Sequence, residues 1–145
     1  MKFPQLKLDN QICHRLYMAS NGIVRSYREA LTALDLTYPQ YVVMMALWEK
    51  DKITINELLD KTVIDGGAMT QILKKMTDKQ LVEVVKDQHD KRKRMVQLQP
   101  AGSKLQLAAQ DIPAQIRSQF PSLSQSEAGE LNTLLDKINS DLTIK

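Results

Sequence analysis

The chain contains 145 residues, of which 43% are hydrophobic and 26% charged, which is the composition of one ordinary globular domain. Its single cysteine excludes an internal disulfide, and no group of Cys and His residues has the spacing of a zinc site. The sequence has no apolar run of about 18 residues, and its N-terminus lacks the apolar core of a signal peptide. We therefore expect a soluble, cytoplasmic protein that uses no metal or other cofactor.

The first third of the chain predicts two helices. From Leu8 to Leu34 apolar residues recur at spacings of three and four, and no proline interrupts them, so one long first helix is predicted. Thr37 and Gln40 have the spacing of a capping box. The largely apolar stretch 41–48 that follows them predicts a second helix, buried in the core.

Two short helices joined by a turn are predicted next. Thr54 and Glu57 repeat the capping-box spacing and open a helix that ends near Lys61. Asp65 then caps a further helix, from Gly66 to Asp78. Such a pair is typical of a helix-turn-helix, whose second helix enters the major groove of DNA.

A charged hairpin follows the two short helices. Residues 81–86 and 94–98 are rich in valine and predict two strands. The run Asp-Lys-Arg-Lys-Arg at 90–94 contains the turn residues between them. The hairpin is therefore predicted to be the wing of a winged helix-turn-helix.

Helices return after the hairpin. One is predicted over 101–118, and Ser124 with Glu127 caps a last one that ends near residue 142. The order of elements predicts a mainly α fold with a small β-wing, a winged helix-turn-helix. The DNA-binding region is predicted over residues 35–100.

Positive charge is concentrated in this predicted DNA-binding region. Residues 74–94 hold eight Lys or Arg against four Asp or Glu, a local net charge of +4, whereas the whole chain has a net charge of +3. An isolated basic run is usually solvated surface charge. A basic run beside a helix-turn-helix pattern is instead typical of contact with DNA phosphates.

The predicted recognition helix and wing supply the candidate contacts with DNA. Thr70 is expected to touch a thymine methyl group and Gln71 to read adenine. Arg92, at the hairpin tip and oriented by Asp90, is expected to enter the minor groove. Gly67 and Ala68 are also expected to reach base edges. The remaining candidates are expected to bind phosphates independently of sequence: Lys74, Lys75, Lys91, Lys93 and Arg94.

These motifs resemble the MarR family of winged-helix regulators. The family's wing pattern is Asp-x-Arg, a strand, Leu-Thr and a glycine, and it matches Asp90, Arg92, Leu98 and Gly102. Gln99 replaces the threonine, which weakens the expected helix cap after the wing but leaves the hairpin tip unchanged. The branch of the family that senses organic hydroperoxides is similar in three longer stretches: CHRLYMASNGIVRSYREAL, LDLTYPQYVVMMALWE and IDGGAMTQILKKM.

The resemblance implies a redox sensor. That branch has a reactive cysteine near the start of the first helix, matched here by Cys13, and tyrosine partners, matched by Tyr17, Tyr27 and Tyr38. Positions 17 and 27 each lie roughly 40° from position 13, on opposite sides of it, so the three share one helical face, yet Tyr27 lies about 21 Å along the helix from Cys13. An antiparallel partner helix would bring the thiol of one chain to the phenols of the other.

The mechanism implied by the resemblance is release of DNA by a repressor when Cys13 is oxidised. The thiolate attacks the peroxide O–O bond and becomes a sulfenic acid, which disturbs the hydrogen bonds of Tyr27 and Tyr38. Because the chain has no second cysteine, the sulfenic acid then forms a mixed disulfide with a low-molecular-weight thiol, a cyclic sulfenamide or an over-oxidised product. His14 and Arg15 either act on the thiol electrostatically or point to solvent.

Apolar residues at both ends of the chain predict a homodimer. Residues 1–34 and 101–145 carry more apolar side chains than a small DNA-binding core buries, and a second copy would cover them. A symmetric dimer also places two recognition helices about 34 Å apart, as a pseudo-palindromic operator requires. A larger monomeric core is the alternative that the residues leave open.

Other functions also remain open at this point. Lone cysteines are usually inert small hydrophobes in cores, so the main alternative is a regulator released by a phenolic or other apolar ligand, with Cys13 incidental. A thiol peroxidase is not expected, because no resolving cysteine and no catalytic acid/base pair accompany Cys13. A structural, chromatin-like binder would show no operator preference over random DNA.

Overall fold

The computed structural model describes residues 1–143. The last two residues of the predicted dimerisation range, 144 and 145, lie outside the described residues. The chain forms two compact units, one comprising residues 1–112 and the other beginning at Pro113. The fold is mainly helical with one small antiparallel sheet, as predicted.

The first helix is shorter than predicted. Two single turns of 3-10 helix come before it, and α1 then spans Ile12–Thr32, so the predicted start at Leu8 is wrong. The side chains of Asn10 and Gln11 each donate a hydrogen bond to a backbone carbonyl six residues earlier, at 2.8 and 2.9 Å. These contacts fold the first residues back on themselves, so the regular helix begins only after Gln11.

The three helices that follow begin where their capping residues predict. The capping boxes at Thr37 and Thr54 are confirmed. Each threonine side chain accepts from the backbone N–H three residues later, and the side chain of that later residue accepts from the backbone N–H of the threonine. The Asp65 carboxylate accepts from two backbone N–H groups of the next helix. The helices are α2 (Tyr38–Glu49), α3 (Ile55–Thr62) and α4 (Gly66–Asp78).

The sheet has one more strand than the sequence pattern indicates. The predicted hairpin is present as β2 (Val82–Lys86) and β3 (Arg94–Leu98), and β3 also pairs with a two-residue strand, β1 (Ile53–Thr54). The strand order is β1-β3-β2, all antiparallel. A two-residue strand is too short to show an alternating pattern, so β1 could not be recognised in the sequence.

The core of the first unit lies between α2, the helix-turn-helix and the sheet. Helix α2 is buried on several sides, as its apolar sequence predicts. The side chains that are almost completely buried include members of each of these elements: Tyr41, Met44, Leu47, Leu58, Met69, Met76, Val82 and Val96. This core fixes α4 and the wing relative to each other.

The helix predicted over 101–118 is two helices. Helix α5 spans Pro100–Ala109, and α6 spans Ile112–Arg117. Pro113 is the reason for the break, because it has no N–H to donate to the carbonyl of residue 109 and its ring would clash with that carbonyl in a continuous helix. In the second unit α7 spans Gln125–Thr143, and the predicted Ser124 cap is present.

Gly102 joins α5 to the base of the wing. Its backbone is buried against Leu81, the residue before β2, and a Cβ atom at position 102 would overlap the carbonyl oxygen of Leu81. The same Cβ would lie 3.3 Å from the Cδ2 of Leu98 at the end of β3. Position 102 therefore accepts only glycine without movement of the wing.

We expect Gly102→Ala to lower the free energy of unfolding by about 1–3 kcal/mol, since the added methyl group has no space and backbone must move to admit it. Urea denaturation measures the change. The matched control is Gly22→Ala in α1, where a Cβ would be more than 4 Å from the non-neighbouring atoms of the described chain. The control should gain up to about 1 kcal/mol from helix propensity, and equal effects at both positions would contradict the packing argument.

Candidate nucleic-acid interface and thiol site

The amphipathic sequence of α4 separates a core face from an outer face. Met69, Leu73 and Met76 recur at helical spacing and are buried against the rest of the first unit. The six residues of α4 proposed from the sequence as DNA contacts are all exposed: Gly67, Ala68, Thr70, Gln71, Lys74 and Lys75. The outer face of α4 is thus free for contact with a large partner.

The N-terminal turn of α4 is held by Asp65. Its Oδ2 accepts hydrogen bonds from the N–H groups of Gly67 and Ala68, at 3.1 and 3.3 Å. The hydroxyl of Thr70 donates to the carbonyl of Gly66 at 3.1 Å, so its methyl group remains for apolar contact. The side chains that would meet a base therefore stand on a fixed helical turn.

The wing tip presents one arginine in a defined orientation. The Arg92 guanidinium donates from Nε to Oδ1 of Asp90 at 3.1 Å and from Nη2 to Oδ2 at 3.4 Å. Hydrogen bonds from Arg92 hold the pKa of Asp90 below its usual range, and those from the side chain contribute more than the one from the backbone N–H. The arginine side chain is nevertheless 91% exposed, so the carboxylate orients the guanidinium without covering it.

The rest of the basic run surrounds Arg92. Lys91, Lys93 and Arg94 are all exposed. The N–H of Lys93 donates to the carbonyl of Asp90 at 3.0 Å, which closes the turn of the hairpin. Residues 91–94 of the wing therefore carry four exposed cations, and α4 of the same unit adds two exposed lysines.

Cys13 lies at the opposite end of α1 from two of its proposed tyrosine partners. It is the second residue of α1 and is exposed. Tyr17, one helical turn later, is 65% exposed. Tyr27 is fourteen residues from Cys13, about 21 Å along the helix, so the fold of one chain does not bring the thiol to it.

Tyr27 and Tyr38 form a pair between α1 and the start of α2. Their ring centroids are 4.9 Å apart, and Tyr41 is 5.6 Å from Tyr27. Burial, and then the neighbouring Tyr38 and Tyr41, raise the pKa of Tyr27 to about 12. The phenol of Tyr27 therefore keeps its proton at neutral pH and is able to donate a hydrogen bond to an anion.

The two residues after Cys13 are both engaged with neighbouring groups. His14 is stacked on Tyr17, with 6.4 Å between ring centroids. The Arg15 guanidinium donates to the carbonyl of Asp9 in the turns that precede α1. Arg15 is nevertheless exposed to solvent, and His14 is half-buried.

Sequence reasoning did not identify Trp48 as part of this aromatic cluster. Its ring lies 6.4 Å from that of Tyr41, and its indole N–H donates to the carbonyl of Gly102 at 3.0 Å. The available signal was that Tyr38, Tyr41 and Trp48 share one face of a helix.

Two negative observations apply to residues 1–143. Within that range no helix is long and apolar enough to cross a membrane. The same part of the chain contains no group of three His, Cys, Asp or Glu residues placed to hold a metal ion.

Comparisons with known proteins agree with this architecture. The chain is 34% identical over 115 residues to the organic hydroperoxide resistance transcriptional regulator of Bacillus subtilis, covering 79% of this chain and 78% of that one. The structure of reduced AbfR, a Staphylococcus epidermidis protein, bound to DNA has a TM-score of 0.80 to this chain. The two sequences are 28% identical, and the match covers 99% of this chain and 97% of that one. Overoxidised AbfR bound to DNA has a TM-score of 0.76 and 26% identity, covering 98% and 99%.

The family follows from the sequence, because residues 36–93 match the profile of the MarR family and the Bacillus relative matches over most of both chains. The chain belongs to the MarR family of winged-helix transcriptional regulators.

Proposed function

We propose that this protein is a homodimeric repressor that leaves its pseudo-palindromic operator when an organic hydroperoxide oxidises Cys13. The observation that carries the proposal is an exposed thiol at one end of α1 and a packed tyrosine pair near the other, in a chain 34% identical to a hydroperoxide resistance regulator. On the DNA side, α4 enters the major groove and Arg92 the minor groove.

The dimer is supported by apolar side chains left exposed in each unit. In the first unit these precede or begin α1, as with Leu8 and Ile12, and in the second they lie along α7. The α7 set is Leu131, Leu134, Ile138 and Leu142. We infer that residues 1–34 and 101–145 form the dimerisation region and residues 35–100 the DNA-binding region. An antiparallel pair of α1 helices would place Cys13 beside Tyr27 and Tyr38 of a second copy.

The redox step is a nucleophilic displacement at oxygen. The Cys13 thiolate attacks the peroxide oxygen that carries the hydrogen atom, a new S–O bond forms and the O–O bond breaks. The alkoxide takes up a proton and leaves as an alcohol, and the sulfenic acid remains on the protein. A small thiol then attacks this sulfur, giving a mixed disulfide and water.

The mixed disulfide is the product that we connect with release. Overoxidised AbfR was crystallised on DNA, so over-oxidation of a related protein is compatible with binding. A mixed disulfide is much larger than the added oxygens of a sulfinic or sulfonic acid. At an antiparallel α1 contact it would separate the helices beside the Tyr27–Tyr38 pair and move the two recognition helices out of register.

Fluorescence anisotropy on a duplex from the protein's own upstream region tests the proposal. Stoichiometric cumene hydroperoxide with a small thiol should release the DNA, and dithiothreitol should restore binding by reducing the disulfide. Intact-protein mass should show one thiol adduct per chain. DNA that stays bound with every Cys13 converted to the adduct would reject the redox mechanism while leaving DNA binding in place.

A ligand-released regulator is the second candidate, because one cavity favours it. A cavity of about 410 Å³ between α1 and α2 is lined by four apolar side chains, two threonines, Arg28 and Tyr38. An apolar acid would find a cation and a phenol there. Release by a phenolic acid such as salicylate, equal in wild type and Cys13→Ser, would favour this function over the redox mechanism.

A further inference from the structure

Four aromatic side chains form a continuous line through the first unit. Tyr27 contacts Tyr38 and Tyr41, with ring centroids 4.9 and 5.6 Å apart, and Tyr41 is 6.4 Å from Trp48. Tyr38, Tyr41 and Trp48 fall within about 80° on one face of α2. The line therefore covers about 15 Å along a single helix.

The line ends on the base of the wing. The Trp48 indole N–H donates to the carbonyl of Gly102 at 3.0 Å. Gly102 lies directly against the carbonyl group of Leu81, and that carbonyl accepts a hydrogen bond from the N–H of Gln99 at 2.9 Å. Leu81 and Gln99 flank the wing strands, so one indole is connected to the point where both strands leave the core.

We propose that Trp48 is a positioning residue, which couples the Tyr27–Tyr38 pair to the wing and so to the contact of Arg92 with DNA. The inference rests on the proposed role of the wing in operator binding. Trp48 connects the Tyr27–Tyr38 pair at one end of the aromatic line with the base of the wing at the other.

Packing makes this connection stiff. Tyr41, in the middle of the line, is 2% exposed, and the neighbouring Val43, Met44 and Leu47 of α2 are completely buried. Close-packed side chains transmit a displacement because they have no free volume in which to absorb it. A shift of the Tyr27–Tyr38 pair therefore moves the indole, and the hydrogen bond to Gly102 carries the shift to the wing.

A double-mutant cycle on the reduced protein tests the coupling without any oxidant. Operator affinity is measured by anisotropy for wild type, Tyr38→Ala, Trp48→Phe and the double variant. Tyr38→Ala removes one end of the line, and Trp48→Phe keeps a ring but removes the indole N–H. The control cycle pairs Tyr38→Ala with Met45→Ala, since Met45 is an exposed residue of the same helix.

Independent sites at this separation combine within about twofold. We expect the loss of affinity caused by Tyr38→Ala to be at least fivefold smaller when residue 48 is phenylalanine, and unchanged when residue 45 is alanine. Equal losses in both backgrounds, or no loss in either, would overturn the inference. If Tyr38→Ala fails to show a cooperative melting transition, Tyr38→Leu takes its place in the cycle.

A second arm separates this inference from the redox proposal. The ratio of operator affinities before and after treatment with cumene hydroperoxide and a small thiol is compared between wild type and Trp48→Phe. A ratio that is at least fivefold smaller in Trp48→Phe than in wild type supports the coupling. Equal ratios in the two proteins overturn it. If wild type itself shows no response, the redox proposal fails, and the cycle on the reduced protein still decides the role of Trp48.

Discussion

Replacing Cys13 by serine is expected to abolish the release of operator DNA by organic hydroperoxide. Serine preserves the size and position of the side chain on α1, but its hydroxyl neither reacts with the peroxide at neutral pH nor forms a disulfide with a small thiol. Reduced wild type and the variant should therefore bind the operator within about twofold of each other. After oxidation only wild type should lose affinity, and anisotropy titrations of the four samples measure this.

A substitution in the tyrosine pair tests the same sensor and is expected to have a smaller effect than Cys13→Ser. Tyr27→Phe keeps the ring beside Tyr38 and removes only the hydroxyl group that we expect to donate a hydrogen bond to the thiolate of a second copy. It should slow the oxidation of Cys13 without preventing it, because a lost hydrogen bond disfavours the thiolate. If Tyr27→Phe is oxidised at the wild-type rate, the Tyr27 hydroxyl is not part of the sensor. If hydroperoxide releases DNA from Cys13→Ser, the Cys13 thiol is not the sensor.

Replacing Arg92 by alanine is expected to weaken operator binding at least tenfold. The side chain is almost fully exposed at the wing tip, and Asp90 holds two of its donors in a fixed plane. A guanidinium so placed enters a narrow minor groove with little loss of rotamer freedom. A dimer would lose two such contacts, one from each wing.

Lys91→Ala is the matched control for Arg92→Ala, because it removes one charge from the neighbouring exposed position. Loss of a phosphate contact should weaken binding to all duplexes alike and reduce the salt dependence by about one ion per site. Arg92→Ala should in addition reduce the preference for operator over random DNA. An unchanged affinity in Arg92→Ala would remove the wing from the DNA interface.

Local signals made the winged helix-turn-helix part of the fold predictable. The capping residues Thr37, Thr54 and Asp65 marked the starts of three helices correctly, because a cap is a contact within one turn and is visible in the sequence. The Val-rich strands and the charged turn marked the hairpin for the same reason. The prediction that Gln99 weakens the cap of α5 is confirmed, since its side chain instead donates to the carbonyl of Val82 at 3.5 Å.

Contacts between distant residues were not predictable. The turns before α1 depend on polar side chains that bind backbone six residues away, a pattern that apolar periodicity does not report. The bond from Trp48 to Gly102 joins residues 54 positions apart. The effect of Pro113 is local, but the apolar spacing on either side of it was continuous enough to predict one helix in place of two. The proposed roles of Cys13 and the tyrosines depend on contacts with a second copy. Apolar residues at both ends of the chain predict that copy, but the sequence of one chain does not give the contacts.

The most direct test of the central claim is to record DNA release and Cys13 modification on the same sample. Wild-type protein on its operator is titrated with cumene hydroperoxide in the presence of a small thiol, and anisotropy and intact-protein mass are read at each step. We predict that the DNA leaves in proportion to the chains that carry the mixed disulfide and that dithiothreitol reverses both signals together. Release before any modification of Cys13, or full conversion to the disulfide with the DNA still bound, would contradict the account.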